Sequence, residues 1–269
     1  MAEQPKDSPC STKQDRARAA ELLLEAERTG VPARQLAQTF PAMEIADSYD
    51  IQKRIIDRKI AEGARLRGHK IGLTSKAMQS TVGIDEPDYG HLLDTMFFQD
   101  GQTIATQKLI VPRVEVELAF VLGKPLRGPD VSLFDVLDAT DYVVPALEII
   151  DGRSQYPRTI VDNIADNAAC AGIVLGGRPV RPMDIDLRWV GAILLKNGVI
   201  EESGVSAAVL GHPALGIAWL ANKLAQHDAG LEAGHIVLAG SFTRTVAVGP
   251  GDTLHADYGK LGGISVHFS

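Results

Sequence analysis

"VPRVEVELAFVL", residues 111–122, is built of Val, Leu, Ala and Phe and yet holds two glutamates one residue apart. Runs of this kind favour the pleated, half-buried conformation of a strand. Alternation along that strand sends Val114, Val116, Leu118 and Phe120 to one face and Glu115, Glu117, Ala119 and Val121 to the other. The two carboxylates then share a face, with Cα atoms roughly 6.5–7 Å apart. "YVVPALEII", residues 142–150, repeats the anomaly with Glu148 inside another apolar run. Two readings compete: a solvated outer face, or three carboxylates that meet in the interior. In the second case each pair at ~5 Å repels by roughly 3 kcal/mol at an effective dielectric of about 20, so the acids must hold protons or share a cation. Three hard oxygen donors without a nearby His or Cys suit Mg2+ or Mn2+.

The surrounding 269-residue chain is 45% hydrophobic and 23% charged, as in ordinary globular proteins. Its net charge of −7 and the lack of a Lys/Arg run with interleaved aromatics argue against nucleic acid as a partner. No apolar run approaches the ~20 residues that cross a bilayer, so no membrane partner is expected. "MAEQPKDSPCSTKQDR" has no apolar signal core. Cys10 and Cys170 lie far apart without metal-type spacing and fit reduced thiols, which makes the cytoplasm the expected location.

Residues 1–11 are polar and expected to be disordered. Residues 12–65 form a helical region: Ser11 or Thr12 caps "RARAAELLLEAER", Gly30 closes it, and a second helix runs through "EIADSYDIQKRIIDRKIAEG". Ile45, Tyr49, Ile55, Ile56 and Ile60 give that helix its apolar stripe. Residues 66–269 read as a β-rich domain of short runs, among them "GHKIGLT", "KLIV", "AGIVLGG" and "GISVHF". "LLKNGVIEE" predicts a hairpin with Asn197-Gly198 at its tip. "PALGIAWLANKLAQHDAG" is the clear helix of this half, with Pro213 in its first turn. The class is α+β, without the β-α alternation or glycine-rich loops of nucleotide-binding folds.

"GHKIGLTSKAMQ", "EPDYGHLLD", "VPRVEVELAFVL", "DYVVPALEIID", "ADNAACAG" and "GSFTRTVAVGPGD" together resemble the hydratase/decarboxylase branch of the fumarylacetoacetate hydrolase superfamily. The resemblance is collinear from about Phe40 to the C-terminus. It implies a mixed β-roll core with a small helical N-terminal region, homo-oligomeric assembly, and Glu115, Glu117 and Glu148 as ligands of a divalent metal, Mg2+ or Mn2+. It also places the family's active-site lysine on Lys70 and its acidic residue on Asp88.

The implied reaction is addition of water to a small-molecule 2-hydroxy-2,4-dienoate, the seven-carbon diacid giving 4-hydroxy-2-oxoheptanedioate. Lys70 would stabilise an enolate and Asp88 would handle the attacking water; read alone, they are an edge lysine and a turn cap. Ser241 and Thr243 in "GSFT" offer hydroxyls to a substrate carboxylate, or form a simple Ser/Thr turn. Arg153 and Arg158 in "DGRSQYPRTI" are candidates for a second carboxylate, or solvated loop residues. Asp166 and Asn167 orient other groups or cap a helix. The short loop before "ADNAA" resembles that of five-carbon dienoate hydratases. Rival readings are five-carbon dienoate hydration, decarboxylation of 4-oxalocrotonate and a non-catalytic partner subunit.

Overall fold

A computed structural model describes residues 12–76, 79–80 and 83–269. The expected tail, residues 1–11, lies outside the described residues. Helix α1 (Lys13–Thr29) is capped by Thr12, whose hydroxyl oxygen accepts from the Asp15 amide, and ends on Gly30 at φ 71°. A short α2 (Leu36–Thr39) leads to α3 (Ile45–Ala61), after which the chain enters β1 at Leu66. The buried face of α3 differs from the expected stripe: Asp47, Ser48, Ile51, Gln52, Ile55 and Ile56 are buried, whereas Ile45 and Ile60 are exposed. Gln52 belongs inside because its amide donates to Tyr89 O (3.0 Å) and Ile164 O (2.8 Å).

Among the described residues, the strands form sheets of eight and five. The larger contains β1 (Leu66–Gly72), β2 (Asp88–Leu93), β3 (Phe97–Phe98), β5 (Arg113–Leu122), β6 (Thr140–Ile150), β7 (Cys170–Leu175) and β10 (Ile236–Leu238). Their order is β2-β1-β10-β5-β6-β7-β3, with β11 (Val246–Ala247) beside β5. The first and last strands of that path are joined by only a 3-10 turn, Asp94–Met96, because β3 pairs with β7 while following β2. The sheet therefore curls into a mixed roll, as the family resemblance implies. The smaller sheet, β4-β13-β12-β8-β9, comprises β4 (Thr103–Ile104), β8 (Gly191–Lys196), β9 (Val199–Val205), β12 (Thr253–Asp257) and β13 (Gly263–Phe268). Its β8–β9 hairpin turns at Asn197 (φ 53°) and Gly198 (φ 82°), the left-handed pair that tight hairpins require.

Alternation divides the roll into two chemistries. Its outer face carries Val114, Val116, Leu118, Phe120, Leu147 and Ile149 into one core with the smaller sheet and helix α6 (Pro213–Ala225). Its inner face carries Leu92, Ala119, Ala146, Ile173 and Leu238 as an apolar plug. Helices α4 (Leu133–Ala139) and α5 (Ile160–Ala165) went unanticipated because each is too short to show a helical period. "KLIV" is not a strand: the Ile110 and Val111 amides are taken by the Asp151 carboxylate at 2.6–3.0 Å. Among the described residues, no helix is long and apolar enough to cross a membrane.

On the outer face His69 stands directly opposite His91, their rings 5.0 Å apart, with His235 5.9 Å from His69. Burial holds all three imidazoles below the usual range, His91 at about 4, and at His69 repulsion from His91 and His235 adds to it. Asp57 and Lys53 face His91, while Glu232, Arg127 and Arg67 face His235. The unfolded chain binds these protons near pH ~6.5, so the stability from the neutral cluster is complete above that pH. It is lost as the pH falls from about 6.5 towards 4. Melting temperature against pH checks this: the decline should be shallower in a His69→Asn/His91→Gln variant, and a wild-type curve flat over that window would refute it.

Candidate active site

The carboxylates meet at one end of the roll interior. Glu115 lies directly opposite Glu148 in the β5–β6 ladder, and Glu117, two residues along, lies opposite Ala146. One oxygen from each of the three glutamates lies within 4.8 Å of the others. Glu117 and Glu148 are buried and Glu115 is half-buried. The solvated-face reading therefore fails. Burial, reinforced by Glu148, pushes Glu115 up to about 8, and burial with the same neighbours drives Glu117 well above the carboxylate range. Such shifts mark a cluster that needs positive charge.

Part of that charge is Lys70, which is buried, with Nζ 3.3 Å from Glu148 Oε1. Burial opposes its charge, but Glu148, Asp88 and Glu115 outweigh it and raise its pKa. Lys70 is thus a fixed cation. It does not complete the coordination of the acids: neither oxygen of Glu148 has a hydrogen-bond partner among the described residues. The unpartnered oxygens of Glu148, with Glu115 and Glu117 converging on them, fit a hard divalent ion. Glu117 is better held, with Oε2 accepting from the Gly240 amide at 2.8 Å. Tyr258 pins the strands below, its hydroxyl donating to Glu117 O (3.0 Å) and Ala146 O (2.6 Å).

Asp88 reaches the same end from β2, paired with Gly72 of β1. A Cβ at Gly72 would strike Asp88 Oδ1 and come within 3.2 Å of Lys70 Nζ, so only glycine leaves room for both groups. Asp88 is buried; its Oδ2 accepts from Asn163 Nδ2 at 2.8 Å, and its Oδ1 has no partner among the described residues. Burial raises its pKa against the pull of Lys70, Asn163 and Arg158. Its raised pKa makes Asp88 a better proton acceptor than an ordinary carboxylate, whereas the surrounding acids keep Lys70 charged.

The remaining candidates separate. Thr243 has a buried Oγ1 without a partner among the described residues, while the Ser241 hydroxyl bonds Val116 O (3.2 Å) and Thr243 O (3.0 Å). Ser241 therefore shapes the loop, and Thr243 offers the open hydroxyl. Arg153, expected to grip substrate, is committed to the chain itself. Its Nε donates to Asp166 Oδ1 (2.6 Å), and its Nη1 and Nη2 donate to the carbonyls of Asp151, Asp166 and Cys170. Arg158 is half-buried with its side chain covered; its Nη2 donates to Asp166 Oδ2 (2.7 Å), but its Nε has no partner among the described residues. Asp166 thus holds two arginines, and the Asn167 amide pairs with the His91 backbone, accepting at 2.7 Å and donating at 3.0 Å. Asn163, Tyr258 and the buried Cys170 beside Glu148 escaped the sequence reading, because isolated polar residues in short segments carry no period.

Comparison with known proteins identifies the family. Residues 69–268 match the family model of the fumarylacetoacetate (FAA) hydrolase C-terminal region. The chain is 57% identical over 256 residues to the 2-oxo-hept-4-ene-1,7-dioate hydratase of Escherichia coli, covering 93% of this chain and 96% of that protein. It is 41% identical over 258 residues to the 2-keto-4-pentenoate hydratase of Paraburkholderia xenovorans (strain LB400), covering 96% of each. Among solved structures, the 4-oxalocrotonate decarboxylase of Pseudomonas putida G7, complexed with magnesium and adipate, superimposes with a TM-score of 0.94 at 38% identity, covering 96% of this chain and 99% of that one. With the acidic cluster inside a mixed roll and these matches along nearly the whole sequence, the chain belongs to the fumarylacetoacetate hydrolase family.

Proposed function

We propose that this chain is a metal-dependent hydratase of 2-hydroxy-2,4-dienoates, acting on 2-hydroxyhepta-2,4-dienedioate to give 4-hydroxy-2-oxoheptanedioate. The observation that carries the reading is the unpartnered Asp88 Oδ1 beside Lys70 and the three converging glutamates. The 57% identity to a hydratase of that diacid supports the substrate.

Glu115, Glu117 and Glu148 would hold Mg2+, or Mn2+ in its place. When bound, such an ion supplies Lewis acidity towards an α-keto acid and offsets the negative charge of the site. The chain's own groups do the rest. Loss of the enol O–H proton to solvent and delivery of a solvent proton to carbon 5 give a 2-oxo-3-enoate. The water O–H bond then breaks, its oxygen bonding carbon 4 and its proton passing to Asp88 Oδ1. Lys70 faces the oxyanion that develops on the carbon-2 oxygen, and return of the proton from Asp88 to carbon 3 completes the addition and restores the carboxylate. Thr243 donates its free hydroxyl to the carboxylate next to carbon 2. The cytoplasm and a homo-oligomeric state complete this reading; the free, buried Cys170 suits a reducing compartment, and sedimentation of the purified chain tests the assembly.

The test is turnover of the five-carbon and seven-carbon dienols with Mg2+ added, followed by loss of dienol absorbance. Faster turnover of the diacid is the expected result; carbon dioxide release from 4-oxalocrotonate without hydration would reassign the chain to decarboxylation.

Arg158 is the group we assign to the second carboxylate, because its side chain is covered and keeps an unused Nε. A charge-assisted hydrogen bond contributes about 1.5–3 kcal/mol, so Arg158→Gln should lower kcat/KM for the diacid by about 10- to 100-fold relative to the monoacid. Equal losses on both substrates would remove Arg158 from that role.

A further inference from the structure

The roll closes without a continuous ladder. Between β2 and the β6–β7 side, side-chain amides take the place of strand pairing. Gln52 from α3 binds Tyr89 O and Ile164 O, Asn163 from α5 binds Asp88 Oδ2, and Asn167 binds both backbone groups of His91. Asp88, Tyr89 and His91 of β2 are thus each fixed from across the seam, through the side chain, the carbonyl, and the amide with its carbonyl respectively. The opposing backbone is built for close approach. Asn167, Ala168 and Ala169 all sit in the left-handed region, at φ 54°, 49° and 59°. A Cβ at Gly90 would come within 2.5 Å of Asn167 O. Three left-handed non-glycine residues in a row cost conformational energy, and such strain persists only where neighbouring contacts impose it.

We propose that this amide seam, with Asn163 at its centre, is a positioning device for the water-addition step. By donating to Oδ2, Asn163 fixes the carboxyl plane and leaves Oδ1 as the one oxygen free to take the proton of water. Asn163 touches neither substrate nor reacting atoms; it is a positioning residue acting through Asp88. Gln52 and Asn167 hold the strand on which Asp88 sits. This inference rests on the hydratase reading above and adds a residue to it.

Its signature is a split between the two halves of the reaction. In the hydratase reading the proton at carbon 5 comes from solvent, whereas water addition at carbon 4 passes its proton to Asp88. Asn163→Leu keeps the side chain's shape and removes its donor. In D2O the variant should consume dienol at a rate within about threefold of wild type, with KM likewise within threefold, while hydration falls about 10- to 100-fold, a fraction of what a positioned base supplies. The 2-oxo-3-enoate bearing one deuteron at carbon 5 should therefore accumulate and be visible by NMR. Asn163→Gln, which keeps an amide but moves it by one methylene, carries the test if the leucine variant does not fold, with the same split expected. Loss of both half-reactions together, or of neither, in a variant that folds overturns the proposal while the wild-type chain still hydrates dienol. A wild-type chain that hydrates neither dienol overturns the reading beneath it instead, and this inference with it.

Discussion

Glu117→Gln is expected to lower Mg2+-dependent turnover by about 10³-fold or more while the metal-free chain stays folded. Glutamine fills the same volume, and its side-chain oxygen can still accept from the Gly240 amide, which now binds Glu117 at 2.8 Å. What disappears is one of the three charges that define the cluster. A bound divalent ion stabilises developing charge by several kcal/mol, and each 1.36 kcal/mol is a factor of about ten in rate, which sets the expected loss.

The same variant separates the metal from the fold. Each carboxylate pair repels by roughly 3 kcal/mol at ~5 Å, and the wild type relieves part of this by holding protons. Removing Glu117 relieves more, so the metal-free melting temperature should stay level or rise. Wild-type protein should gain about 2.7 kcal/mol of stability at a Mg2+ concentration 100 times its Kd, through linkage alone. That gain should vanish in the variant. Thermal melts with and without Mg2+ and a turnover assay in chelated buffer decide the matter. A variant that keeps both the Mg2+-dependent gain and its turnover would show that the glutamates meet for some other reason.

These acids were legible from the sequence because a charge inside an apolar strand is a local anomaly. Two-residue alternation puts Glu115 and Glu117 on one face without further information, and the β5–β6 register then brings Glu148 opposite Glu115. The parallel pairing of β1 with β10 was not legible, because it joins residues such as Lys70 and Leu238 that are far apart in the chain and carries no local mark. Neither was the fate of the arginines. Arg153 and Arg158 look alike in "DGRSQYPRTI", and only the placement of Asp166 shows that one has spent its donors while the other keeps Nε. Of the seam, the sequence marked Asn167 alone, as a group that orients others or caps a helix. Asn163 acts through a single amide in a six-residue helix, where no periodicity applies.

Lys70→Met carries the other large loss, and its value lies in what it should not lose. The lysine is buried at an ion-pair distance from Glu148, and the surrounding acids keep it charged. It therefore has no proton-accepting role at working pH; its contribution is a fixed positive charge facing the oxyanion. Removing one such preorganised group typically costs about 10²–10³ in kcat. A support for the metal ligands would behave differently. A positive charge within ~7 Å of a divalent ion opposes its binding by several kcal/mol at an effective dielectric of about 20. Methionine should therefore tighten Mg2+ binding by about tenfold or more, while the metal-free protein melts earlier because Glu148 loses its counter-charge. Calorimetric titration of Mg2+ beside turnover distinguishes the two roles. Weaker Mg2+ binding in step with lost activity would make Lys70 a scaffold for the glutamates; tighter binding with turnover gone would fix it as the electrostatic partner of the reaction.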